Sequence, residues 1–245
     1  MLDRREFLAT LLACAFTPIC YQCISANSNS YDYFSACFIN TQTHITHDSI
    51  LKAVDTPNIE SAERLFHEFS HICNVFNIRA NLLFLGGEHS YNAYADHLDA
   101  NTRLDGTIYL GKNLLLDEVD AYSTYNVAFW GIMSHECGHI LQFSHNMSFS
   151  KMGDNVLYRE LEADFLAGYY LGQKWRDTQF DTRAFRDSVS HKGDLAGRAA
   201  QTHGSREQRV HAVEQGIRFG LGGAKSITQI LDVASAEAKN IVALE

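Results

Sequence analysis

His135-Glu136-Cys137-Gly138-His139 brings together two imidazoles and a carboxylate, the side chains of metal-assisted hydrolysis. The motif lies inside residues 126–143, whose apolar members (Val127, Phe129, Trp130, Ile132, Met133, Ile140, Leu141, Phe143) read as one helix. Residues four apart on a helix sit about 40° from each other, so His135 and His139 would present two ring nitrogens to one metal ion. Glu136 projects about 100° further round, where it would hold a metal-bound water without ligating the metal. Gly138 is a poor helix former, and its place implies close packing against another element. Glu160-Leu161-Glu162-Ala163-Asp164, beginning 21 residues after His139, is what sets this copy of the motif apart.

Those acids need a second helix, and residues 156–175 supply one, with Leu157, Leu161, Phe165, Leu166, Tyr169 and Leu171 at helical spacing. Glu160 and Asp164 are four apart and share a face. Glu162 is about 200° from Glu160, so the spacing predicts that the two do not serve one site.

A second HExxH, His67-Glu68-Phe69-Ser70-His71, sits on a helix over residues 57–79 with Leu65, Phe66, Phe69, Ile72, Cys73 and Phe76 inward. Its local geometry is equally good. Downstream, however, it finds only Glu88-His89 in a Gly86-Gly87 turn, then Asp96 and His97, none in a helical block that would hold a ligand rigidly. Context assigns the chemistry to the His135 copy and leaves His67 and His71 as partly exposed polar residues on an amphipathic helix.

The other elements follow from pattern. Leu82–Leu85 reads as a short buried strand. Asn92-Ala93-Tyr94-Ala95 and Asp105-Gly106-Thr107-Ile108-Tyr109-Leu110-Gly111 read as two short strands joined by a loop, and residues 31–40 as a strand or a docked arm. Residues 205–218 and 225–243 read as two further helices. These elements predict an α+β fold, mostly helical, with a small edge sheet.

The chain has 245 residues, enough for one domain with a small appendage. Its net charge of −9 and lack of a basic stripe argue against nucleic acid as a partner. With only two prolines there is no proline-rich linker.

Asp3-Arg4-Arg5-Glu6-Phe7-Leu8 resembles a twin-arginine export signal, and the apolar run from Phe7 to Cys20 is too short for a membrane span, which needs about 20 residues. The chain is therefore expected in the periplasm or secreted, with cleavage near Ser25-Ala26 and no transmembrane span in the mature protein. Leu11-Leu12-Ala13-Cys14 also resembles a lipid-attachment box at Cys14, although the apolar stretch before it is very short. Loss of the signal would leave Cys37, Cys73 and Cys137. Cys137 points away from the metal as a small core residue, and Cys37–Cys73 is a conceivable disulfide.

Taken in order, NAYA and DGTIYLG, then HExGH, ExxADxxAG and HGSxEQR, the chain resembles the gluzincin metallopeptidases, both the bacterial neutral zinc metallopeptidases and the CAAX-processing zinc endopeptidases. The resemblance covers about residues 60–218. It implies one zinc held by His135, His139 and Glu160, with Glu136 as catalytic acid and base. Asp164 would buttress a ligand. His203 falls where the family places a histidine before the last helix of the catalytic domain, and Arg209 would brace it. The two strands resemble a substrate-lining edge. The CAAX-type enzymes carry transmembrane helices and this chain has none, so the soluble bacterial type fits better.

The chemistry agrees with the resemblance. Three protein ligands leave zinc an open position for water, whose pKa falls toward about 7. Glu136 would take the water's proton and pass it to the leaving amine, while a donor such as His203 steadies the carbonyl oxygen. The organisation predicted is an export signal over 1–26, an arm over 27–56, a zinc metallopeptidase domain over 57–220 and a C-terminal helix over 221–245. The function predicted is a zinc endopeptidase acting on peptide or protein substrates. The alternative is a non-catalytic metal-binding or chaperone-like relative on the same fold, and an amidase on the same site is a third reading.

Overall fold

A helix that is apolar on every side has to be wrapped by other elements, and the fold is arranged around one. A computed structural model describes residues 34–36, 54–55, 59–97, 103–115, 127–145, 156–178, 181–192 and 204–243. In chain order the elements are β1 (Phe34–Ala36), β2 (Val54–Asp55), α1 (Ile59–Phe76), β3 (Ala80–Leu85), a 3₁₀ turn (Gly87–Tyr91), β4 (Ala93–His97), β5 (Gly106–Gly111), α2 (Val127–Ser144), α3 (Val156–Thr178), α4 (Arg183–Lys192), α5 (Arg206–Leu221) and α6 (Ile227–Ala243). Among these residues the fold is mostly helical with one small sheet, an α+β arrangement, and all of them belong to one compact unit.

The wrapped helix is α2. From Val127 to Phe143 every residue but Trp130 is buried, and α1, α3, α4, β4 and β5 pack around it. Gly138 faces α3: a β-carbon there would stand 3.3 Å from the Leu166 side chain and 3.4 Å from Ala163 Cα. Gly131 admits the Phe185 ring, onto which an added β-carbon would collide. Phe185 and Val189 are the inward residues of α4, a helix that the sequence reading did not assign.

The sheet runs β1-β4-β5-β3-β2, with β3 and β5 parallel and the other pairs antiparallel. Arg79 N donates to Asp105 Oδ2 at 2.7 Å and Asp105 N to the Arg79 carbonyl at 2.6 Å, which fixes the start of the parallel register at Ala80 opposite Gly106. Strand β5 is buried along its whole length, because it has a neighbour on each side and α2 across its face. The NAYA and DGTIYLG strands pair as expected, but neither is an edge. β1 pairs with β4 over Tyr94–Asp96, and the outer strands are β1 and β2.

Helices α3 and α5 approach more closely than ordinary side chains allow. A β-carbon on Gly168 would collide with the Val213 carbonyl, one on Gly172 with that of Ile217, one on Gly216 with that of Phe165, and one on Gly220 with that of Tyr169. Each helix thus carries glycines four apart along the shared seam, and backbone meets backbone there. The last helix, α6, packs on both α3 and α5.

The weighed Cys37–Cys73 disulfide falls on Cys37, which lies outside the described residues. Cys73 is a free thiol on α1, and the packing of α1 on α2 sets it against Cys137, to which it is hydrogen-bonded. Cys137 is fully buried and turned from the histidines toward α1. Among the described residues no helix is long and apolar enough to cross a membrane. The export signal over 1–26, Cys14, Cys37 and most of the 27–56 arm lie outside the described residues.

Candidate metal centre

Helix α2 delivers two imidazoles to one point, and α3 crosses it to deliver a carboxylate. His135 Nε2 lies 3.1 Å from His139 Nε2. Glu160 Oε2 is 3.5 Å from His135 Nε2, and its Oε1 is 3.6 Å from His139 Nε2. Two ligands held about 2.0–2.1 Å from a zinc ion at a tetrahedral angle stand about 3.3 Å apart. The imidazole pair matches one edge of such a tetrahedron, and Glu160 turns a different carboxylate oxygen toward each ring. His135, His139 and Glu160 could hold a metal ion, and they are the one group of this kind among the described residues.

Electrostatics point the same way. His139 Nδ1 is 2.8 Å from Gln142 Oε1, and His135 Nδ1 is 2.9 Å from Asp164 Oδ1. An acceptor at each Nδ1 places the ring proton there and leaves each Nε2 with a bare lone pair. Two lone pairs and a carboxylate so close together repel unless a cation or a proton lies among them. Burial opposes a charge on His135, yet Asp164 and Glu160 hold its pKa up to about 9. Burial pushes His139 down to about 4. One positive charge is therefore what the metal-free site accommodates, on one ring of the pair.

Glu136 is fully buried beside the ligands, and neither of its carboxylate oxygens has a hydrogen-bond partner among the described residues. Burial pushes its pKa up to about 8. An uncompensated carboxylate in such surroundings is costly. One that is aimed at a water or a substrate is a common feature of hydrolytic sites.

Asp164 is held in turn by Arg209, whose Nε and Nη2 donate to its two oxygens at 2.7 and 2.9 Å. Burial would raise Asp164, but the guanidinium and His135 hold it below the usual carboxylate range. The HGSxEQR block is the device that puts Arg209 there. Gly204 adopts φ +101°, a conformation that favours glycine. Ser205 caps α5 in a reciprocal capping box with Gln208, the Ser205 side chain accepting from Gln208 N at 3.2 Å and Ser205 N donating to Gln208 Oε1 at 2.9 Å. Arg209 follows one residue later, fully buried. The sequence reading gave Arg209 to His203, and in the structure its guanidinium serves Asp164. His203 itself lies outside the described residues.

Helical spacing set Glu162 apart from Glu160, and Glu162 is not in the group that could hold a metal ion. It nevertheless reaches the site through Gln142, whose Nε2 donates to Glu162 Oε2 and to the Arg159 carbonyl, both at 2.9 Å. Ser235 of α6 donates to Glu162 Oε1 at 2.7 Å. Gln142, Glu162 and Ser235 were not among the expected site residues. Gln142 had a signal in the sequence: it is three residues after His139, on the same side of the helix.

The second HExxH does something else. His67 and His71 are exposed, while Glu68 is buried and ion-paired to Lys174 Nζ at 2.7 Å. The Tyr170 hydroxyl donates to Glu68 and lies 2.8 Å from His71 Nδ1. Lys174 also sits 4.2 Å from the centre of the Trp130 ring. This motif ties α1 to α3 through a satisfied ion pair.

Comparison of the chain with protein-family models, with curated proteins and with solved structures gave no match.

Proposed function

We propose that this protein is a zinc-dependent endopeptidase of the gluzincin type that its motifs resemble. The observation that carries the reading is the convergence of His135, His139 and Glu160, with one ligand atom from each within 4.8 Å of the others and the Glu136 carboxylate buried beside them. Two imidazoles and one carboxylate on a rigid helix pair suit zinc and leave it a position for water. A metal ion held there supplies a polarised water and a Lewis acid for the scissile carbonyl. Glu136 receives the water's proton on its carboxylate and hands it to the leaving amine nitrogen. His203 is the proposed donor to the carbonyl oxygen. Peptides or proteins are the substrates, and the twin-arginine-like N-terminus places the activity outside the cytoplasm.

The full burial of all three ligands and of Glu136 favours a second reading, a closed metal site without turnover. Casein digestion by the purified chain separates the two. The endopeptidase reading expects cleavage that a chelator abolishes and added zinc restores. Stoichiometric zinc with no hydrolysis under any of these conditions would favour the closed site.

A further inference from the structure

A glutamine amide can face either way, and its neighbours decide which. The Gln142 side chain is buried between His139 Nδ1 on one side and two acceptors, the Arg159 carbonyl and the Glu162 carboxylate, on the other. With its nitrogen toward the acceptors it donates to both. Turned over, it would lose both bonds and set its oxygen against two oxygens, at a buried site where an unmet polar group is costly. Its oxygen therefore faces His139, and Nδ1 of His139 has to be the donor. The proton cannot then sit on Nε2, the nitrogen that faces His135 and Glu160.

Glu162 is fixed as well. Its second oxygen accepts from Ser235 Oγ at 2.7 Å, so α6 holds the carboxylate that holds the amide. His135 has a parallel support on its other side, through Asp164 to Arg209 on α5. Each histidine is backed by a chain of polar contacts that passes through α3 and ends on a different C-terminal helix, hydrogen bonds behind His139 and an ion pair with Asp164 behind His135.

We propose that Gln142 and Glu162, steadied from the C-terminal helix by Ser235, are positioning residues that hold the His139 proton on Nδ1 and so aim Nε2 at the metal. Residues of the last helix thereby set metal affinity, although they come nowhere near the ion. This rests on the metal-centre reading of His135, His139 and Glu160 and is independent of peptidase activity.

The test uses the full chain in three measurements. Zinc affinity is measured by competition with a chromophoric chelator for wild type, His139→Ala, Gln142→Leu, Glu162→Leu, Glu162→Gln and Ser235→Ala, with circular dichroism to confirm folding. Loss of an outer-shell partner weakens metal binding by about 10–100-fold, and Gln142→Leu is expected in that range. Glu162→Gln keeps an oxygen for the Gln142 amide and should bind zinc more tightly than Glu162→Leu. Nitrogen-15 NMR of the imidazoles in metal-free wild type reads the tautomer directly and needs no variant to fold: the proton of neutral His139 is expected on Nδ1. A proton on Nε2 in wild type, or a folded Gln142→Leu with unchanged affinity while His139→Ala loses zinc, would overturn this inference alone. Zinc retained by His139→Ala would overturn the metal-centre reading with it.

Discussion

Glu136 adjoins His135 in sequence and is buried beside the candidate triad without being part of it. The helix turns about 100° per residue, so a group one position from His135 reaches the neighbourhood of the ion without facing it. Its carboxylate is buried and makes no hydrogen bond among the described residues, which a purely structural acid would not sustain cheaply. Glu136→Gln keeps the shape and removes the base. The variant should hold zinc and lose peptide hydrolysis by at least about 10²-fold, the lower range for a general base. Equal turnover of the two proteins, both loaded with zinc, would remove Glu136 from the mechanism. At this scale much of the site was legible. His135, His139, Glu160 and Asp164 obey spacings within single helices, and such spacings survive whatever the rest of the chain does. Gln142, Glu162 and Ser235 were not legible, because their link crosses three helices. The angle between Glu160 and Glu162 set Glu162 apart from Glu160 but said nothing of a side chain reaching it from α2.

Among the elements, α1 and α2 carry the same HExxH pattern and differ in burial and in what crosses them. Helix α3 meets α2 with Glu160 and Asp164, and meets α1 with Tyr170 and Lys174. A lysine and a hydroxyl satisfy Glu68, whereas the other set converges on a point that could hold a metal ion. His67→Ala with His71→Ala should therefore leave zinc content and hydrolysis nearly unchanged in the folded protein. Loss of metal from that double variant would move the centre to α1. The α3–α5 seam makes a second prediction. Gly→Ala in an exposed helix stabilises by about 1 kcal/mol, but Gly216→Ala drives a methyl into the Phe165 carbonyl. Overpacking of this kind costs about 1–3 kcal/mol, so the urea midpoint should fall rather than rise. A midpoint at or above that of wild type would show that the seam has room. The sequence concealed α4, because among its described residues only Phe185 and Val189 are buried and apolar, in a charged stretch. It also concealed β2, two residues long, and the parallel pairing of β3 with β5, a contact that no local pattern encodes.

For the whole molecule, the candidate metal centre is where the helices meet. Helix α2 is the wrapped core, α3 crosses it, and α5 and α6 each steady one histidine from outside. Arg209 and Asp164 form a buried ion pair, and removal of one partner from such a pair costs about 3–5 kcal/mol. The fold thus gathers His135, Glu136, His139, Glu160, Asp164 and Arg209, all buried, at one place, as functional sites do. What it holds there is decided most directly by native mass spectrometry of the purified chain. One zinc per chain is predicted for wild type, and little or none for folded His139→Ala and Glu160→Ala. A wild type that binds no metal, or stoichiometric zinc retained by both variants, would contradict it.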